Sequence, residues 1–157
     1  TRKAARQKLE RALSSGAALE RFARLIEAQG GDPRVVDRPD SLPRAPKRLP
    51  IPATKSGVIT SIDSLVLADV ALELGAGRKR QSDEVDPAVG IEIARAVGES
   101  VERGQPLAWL HARREPSELL ARAERAFSVG LRAPKPVDWV LGRVVDGGDT
   151  PEKTDAQ

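Results

Sequence analysis

The chain contains no cysteine and no methionine. The first absence removes disulfides, thiolate nucleophiles and cysteine-held metals from consideration. Its single histidine, His111, leaves no set of imidazoles from which a metal site or a catalytic triad could be built, so neither a metal nor a cofactor is expected. Tyrosine is also missing and aromatic residues amount to 3%, too few for the stacking platforms on which single-stranded nucleic acids lie. No apolar run approaches the roughly 18 residues of a membrane span, and no basic segment leads into an apolar one as in a secretory signal. The expectation is a cytoplasmic protein with no membrane and no nucleic-acid partner.

What is present suits a folded domain. Hydrophobic residues make up 39% and charged residues 31% of 157 positions, enough for one ordinary domain and a smaller appendage. The net charge is +3, but 26 basic residues are matched by 23 acidic ones, which argues against a nucleic-acid binder. Thr1 is followed at once by the body of a helix, which reads as a piece of something longer.

Residues 3–13 place Ala5, Leu9, Ala12 and Leu13 on one stripe of an amphipathic helix. Ser14, Ser15 and Gly16 stop it. A second helix follows, with Leu19, Phe22, Ala23 and Ile26 on one face and Gly30 and Gly31 at its end. Two short helices cannot close a core alone, so residues 1–31 are predicted to be the end of an upstream all-α domain. Between Pro33 and Pro52 lie six of the twelve prolines, interleaved with Arg34, Arg38, Arg44, Lys47 and Arg48. This stretch is expected to be neither helix nor central strand, and residues 32–49 are predicted to be a basic connector whose charges are solvated, with a contact to an acidic neighbouring domain as the alternative.

Residues 50–146 are predicted to form an α+β domain. A short strand spans Val58 to Ile62. Ser64 is expected to cap a helix that is apolar nearly all round from Leu65 to Leu74, ended by Gly75, Ala76 and Gly77. Further strands are read at Val89–Arg95 and Leu107–Leu110, a helix from about Pro116 to Phe127 that buries Leu119, Leu120 and Ala123, and a last strand in Val137–Val145. Residues 147–157 read as a polar tail.

Several segments invite a chemical reading. Thr54, Lys55, Ser56 and Gly57 are half of a phosphate loop, but no glycine-rich lead-in precedes them and a strand follows, so a strand entrance is the better reading. Arg78 after Gly75, Ala76 and Gly77 could close on phosphate, although a helix C-terminus repels anions. His111, beside Trp109, is read as structural. No catalytic, phosphate-binding, nucleoside-binding or metal-binding residue is assigned.

Two segments are similar in shape: Pro52 to Ile59, and Gly90 to Ile93 followed by Val97, Gly98, Glu99, Ser100, Val101, Glu102, Arg103, Gly104, Gln105, Pro106 and Leu107. They resemble the two halves of the barrel-sandwich fold of biotinyl and lipoyl carrier domains. Gly98 and Gly104 supply the turn, Val101 tucks inward and its charged neighbours stay in water. A non-catalytic carrier or adaptor is therefore the alternative. Its expected mark, a lysine at a tight hairpin tip, is missing, since Lys79 lies between Arg78 and Arg80 after a helix.

Longer stretches point elsewhere. Ser15 to Leu19, Phe22, and Ala28 to Pro33 resemble the end of the helical domain of pyrimidine-nucleoside phosphorylases. Ser56 to Ile59, Ala71 to Arg78, Asp86 to Ile91 and the turn from Val97 to Gly104 are similar to that family's C-terminal domain. The resemblance covers about residues 5 to 145. It implies a pentosyltransferase: phosphate attacks the anomeric carbon of a pyrimidine nucleoside, giving the free base and a pentose 1-phosphate. It also implies a cytoplasmic homodimer with a cleft that closes over substrate. The family's phosphate loop and base-reading residues would lie upstream of Thr1, so this portion is expected to form a cleft wall and to be inactive in isolation.

Overall fold

A computed structural model describes residues 1–135; the strand expected within Val137–Val145 and the polar tail lie outside them. The architecture is α+β, with four α-helices and two three-stranded sheets among the described residues.

Helix α1 spans Arg2–Ser14 and α2 spans Ala17–Ala28. The Thr1 hydroxyl accepts from the Ala4 amide (3.3 Å) and caps α1, satisfying one of the donors a helix start leaves open. Gly16, with φ of 80°, makes the turn between the helices in the left-handed region that glycine enters without cost from a Cβ. Neither helix buries a residue.

The proline-rich stretch is more ordered than an extended connector. Two 3₁₀ turns, Pro33–Val36 and Pro39–Ser41, each begin on a proline, whose fixed φ suits a first turn and whose missing N–H costs nothing there. Strand β1 then runs Lys47–Pro52. It lies at the edge of a sheet ordered β1-β5-β3, where β3 is Gly90–Ile93 and β5 is Pro106–Ala112. An edge tolerates Pro50 and Pro52, which no central strand would.

The second sheet is antiparallel and ordered β4-β2-β6, from Ser100–Val101, Gly57–Ile62 and Phe127–Gly130. Strand β6 falls where the sequence suggested the end of a helix. Helix α4 covers Ser117–Arg125 only, and Phe127 opens the strand instead. Its register pairs Val58 with Gly130 and Ile59 with Val129, then slips to Ser61 with Ser128 and Ile62 with Phe127, leaving Thr60 as a bulge. The Thr60 hydroxyl donates to the Ser128 carbonyl (3.2 Å) and compensates in part for the broken ladder.

Helix α3, Ser64–Ala71, departs from expectation in two ways. Its cap is Asp63, whose Oδ1 accepts from the amides of Leu65 (3.0 Å) and Val66 (3.1 Å); Ser64 is already the first helical residue. A carboxylate serves the helix start better than a hydroxyl because it also meets the positive end of the dipole. The helix stops at Ala71 and widens into a π turn, Leu72–Ala76, broken by Gly75 with φ of 107°. Only Leu67 and Val70 are buried within α3, and Leu65 stands in water. Its apolar sequence is thus not matched by burial all round.

The chain divides into two compact units. The first comprises Thr1–Leu49, Ala71–Ile91 and Leu110–Pro116. The second comprises Pro50–Val70, Glu92–Trp109 and the part from Ser117 onward. The core of the second is built from Ala53, Ile59, Val101 and Leu107, with Ile62, Phe127 and Val129 packed against it. Val101 turns inward as expected while Glu99, Glu102 and Arg103 stay exposed.

Candidate functional site

In the second unit, the segment that resembles half a phosphate loop is a tied strand entrance. The Ala53 amide donates to the Gln105 carbonyl, and the Gly104 amide returns a bond to the Ala53 carbonyl, both at 2.8 Å. The Ser56 hydroxyl accepts from the Arg103 amide (2.9 Å). Beyond it Gly57 opens β2. Of the residues that would cradle a phosphate, Ser56 is thus already engaged by the neighbouring turn. The same turn is closed from within, where the Gln105 side chain accepts from the Glu102 amide (3.1 Å). A second pair of ties joins β2 to the preceding turn: the Ile59 amide donates to the Glu99 carbonyl (3.0 Å) and the Gly98 amide to the Ile59 carbonyl (2.8 Å).

In the first unit, Arg78, Lys79 and Arg80 sit exposed on a loop after the π turn. The Asp86 amide donates to the Gly75 carbonyl (2.9 Å) and closes the base of that loop. Asp83 holds its tip, with Oδ2 accepting from the amides of Lys79 (3.0 Å) and Arg80 (2.8 Å). A carboxylate already fills the two-amide concavity in which an external anion would lie. Lys79 is therefore part of a pinned turn, not the tip of a hairpin.

One polar arrangement across a long sequence separation was not singled out by sequence reasoning. Arg113 donates to both oxygens of Asp86, through Nε at 2.6 Å and through a terminal nitrogen at 2.8 Å. Asp86 Oδ1 accepts in addition from the Ala88 amide (3.0 Å). The arginine, and then the backbone amide, hold the Asp86 carboxyl below the usual carboxylate range, and the carboxylate raises the Arg113 guanidinium in turn. A carboxylate so occupied neither gives nor takes protons near neutrality. It acts as a bracket between the loop and the segment following β5. Asp-Pro-Ala at 86–88 signals a turn in the sequence, but nothing there names a partner 27 residues away. His111 lies on β5, one residue from its end and half-buried.

Thr54, Lys55, Ser56 and Gly57 belong to the second unit, whereas Arg78, Lys79 and His111 belong to the first. Among the described residues no cluster of three or more His, Asp or Glu side chains is placed to hold a metal ion. None of the described helices is long and apolar enough to cross a membrane. What the geometry does provide is bracing, in which turns are tied by backbone amides and by ion pairs such as Arg113 with Asp86.

Against this background, residues 58–131 match the family model of the pyrimidine nucleoside phosphorylase C-terminal domain. The chain is 40% identical over 133 residues to the pyrimidine-nucleoside phosphorylase of Bacillus subtilis (strain 168), which covers 84% of this chain and 31% of that protein. It is 45% identical over 148 residues to the thymidine phosphorylase of Burkholderia cenocepacia (strain J2315), 94% of this chain and 31% of the relative. A pyrimidine-nucleoside phosphorylase of Staphylococcus aureus (strain USA300) is 41% identical over 111 residues, 71% of this chain and 26% of the relative. The chain thus spans under a third of the length of the curated relatives it matches. Over residues 58–131 it carries the C-terminal domain of the pyrimidine-nucleoside phosphorylase family.

Proposed function

We propose that the chain is the C-terminal portion of a pyrimidine-nucleoside or thymidine phosphorylase and forms a wall of its substrate cleft. The observation that carries this reading is the identity of 40–45% across 84–94% of the chain to enzymes of which it matches only 31%. In the whole enzyme, an oxygen of inorganic phosphate would bond to the anomeric carbon of the nucleoside as the bond from that carbon to the base nitrogen breaks. The base would leave with the bonding electrons and take up a proton, and the sugar would depart as a pentose 1-phosphate. Such a step needs donors around the phosphate and charge stabilisation at the sugar. The phosphate loop that supplies them would belong to another part of the polypeptide. The proposed division is residues 1–31 with a helical domain, 32–49 as connector and 50–146 as the C-terminal domain, in a cytoplasmic homodimer.

The tied loops around Ala53 and Gly104, with glycine turns at Gly98 and Gly104, favour a barrel-sandwich-like arrangement of the second unit. The carrier alternative finds less support. Helix α4 occupies the connection between β5 and β6, and residues 113–126 contain no lysine to carry a prosthetic group.

The test is a chimera in which these 157 residues replace the matching stretch of the Bacillus subtilis relative. It should release free base from thymidine or uridine only when phosphate is present, whereas the 157-residue chain alone should release none. Turnover by the isolated chain near the enzyme median of about 10 per second would overturn the reading. So would a folded chimera that binds nucleoside and phosphate without releasing base.

A further inference from the structure

Charge is unevenly spread along this sequence. Residues 1–49 hold twelve lysines and arginines against six aspartates and glutamates, a net +6; residues 50–157 hold fourteen against seventeen, a net −3. Helix α1 alone carries Arg2, Lys3, Arg6, Lys8 and Arg11 against Glu10. The same region leaves its large apolar side chains in water: Leu9 is 67% exposed, Leu13 73%, Leu19 50%, Phe22 53% and Leu25 51%. Scattered exposed leucines are ordinary, but a run of them along two adjacent helices marks a surface that another body covers. The overlap of the two features says what kind of body. Its centre must be apolar to take the leucines and Phe22, and its rim must be acidic to meet the cations.

A second copy of the chain fits poorly, because two basic faces would be set against each other and like charges across an interface are strongly unfavourable. The relatives offer a better occupant, since over two thirds of their polypeptide lies outside the part this chain matches. We propose that α1 and α2 dock on an acidic-rimmed, apolar-centred surface of the remainder of a phosphorylase polypeptide, an inference that rests on the functional reading above. Charge would guide the approach and leucine burial would hold the contact.

The experiment compares amide hydrogen exchange of residues 2–28 in the 157-residue chain and in the Bacillus subtilis chimera. Protection should rise at least about a hundredfold in the chimera, since these helices exchange by local opening when uncovered. Reversing two cations, Arg6→Glu with Arg11→Glu, should remove about tenfold of that gain, and Arg6→Lys with Arg11→Lys should keep it. Raising salt from about 50 to about 500 mM should mimic the reversal in part. A chimera that performs phosphorolysis without gaining protection in α1 and α2 would sink the docking while leaving the functional reading intact. One that gains protection but lacks activity would do the reverse, and one that fails to fold would count against both. Self-association of the chain through this face in sedimentation, or protection gained on anionic phospholipid vesicles alone, would overturn the assignment of an acidic protein surface.

Discussion

Replacing Gly57 by alanine tests why the segment Thr54–Gly57 ends in glycine. A methyl group built at Gly57 would press into the Gly130 carbonyl oxygen, well inside any separation that carbon and oxygen tolerate, and come within 2.9 Å of Val129 Cγ1. The valine can turn, but the carbonyl is backbone and sits where β6 pairs with β2. Strand β6 would have to move away, disturbing the pairs Val58 with Gly130 and Ile59 with Val129. Overpacking of this kind costs about 1–3 kcal/mol, and the upper end is expected because no flexible atom can yield. Gly130→Ala is the internal comparison. Its new methyl would meet the Thr60 Cγ2 methyl at 2.8 Å, a side-chain clash at the bulge. Removing that methyl with Thr60→Ser should restore stability to Gly130→Ala but not to Gly57→Ala. Urea unfolding followed by circular dichroism measures all four variants, and exchange of the Val129 amide reports on β6 directly. If Gly57→Ala stays within about 0.5 kcal/mol of the parent, as ordinary surface changes do, the packing of β2 against β6 is wrong. The glycine would then need another reason, an approaching ligand among them.

Two further perturbations address charge. The Arg34 side chain, then its backbone amide, hold the Asp32 carboxyl at about 2, so its folded value lies below the unfolded one of about 3.9; the contribution to stability is complete above that value and is lost as pH falls from about 4 towards about 2. Carboxyl-carbon resonances followed by pH titration should show this, and Arg34→Gln should move Asp32 toward the ordinary range, part of the lowering persisting through the backbone amide of residue 34; an unchanged midpoint would show that the pair is absent in solution. Arg113→Gln should raise the Asp86 carboxyl toward its usual range and speed exchange of the Asp86 amide, because the bracket at the base of the 78–85 loop is lost. Unaltered exchange at Asp86 would mean that the Gly75 carbonyl suffices alone.

Helix and strand placement was legible wherever periodicity was long. The stripe of Leu9 and Leu13 and the alternation of Val58 to Ile62 yield the elements observed; Val101 turns inward as read, but the stretch between Gly98 and Gly104 read as a turn holds the short strand Ser100–Val101. Short features were not legible, for physical reasons. Strand β6 has four residues, and Phe127 following Leu119, Leu120 and Ala123 extends their helical spacing as readily as it begins a strand. The cap of α3 was placed one residue late because Asp63 and Ser64 are both good caps and only geometry chooses between them. Helix α3 is apolar enough to suggest burial on every side, but Leu65 is exposed, which a propensity reading has no means of foreseeing. Polar partnerships across long separations were out of reach altogether. Ser56 with Arg103 and Asp86 with Arg113 depend on which turns the fold brings together.

The position of these ties bears on what a cleft wall can contribute. A wall that closes over substrate helps only if it moves as a body, because internal give would spend the binding energy meant to orient the reactants. Within the second unit, Ala53, Ile59, Gly98 and Gly104 are joined by backbone hydrogen bonds at 2.8–3.0 Å. Within the first, Gly75, Asp86 and Arg113 play the corresponding part at one loop. Backbone ties cost no side-chain entropy to form and survive most substitutions at the residues that make them. Glycine is the exception, because the turns at Gly98 and Gly104 have φ of 94° and 86°, which other residues adopt only under strain. A wall of the proposed kind can therefore be sensitive at its turns and tolerant at its charged surface. Substitutions at Gly98 or Gly104 should lower turnover of the chimera through a softened wall, with nucleoside and phosphate affinities falling less than the rate. A loss confined to affinity, with the rate constant for bound substrate unchanged, would show that rigidity of this unit is not what the cleft requires.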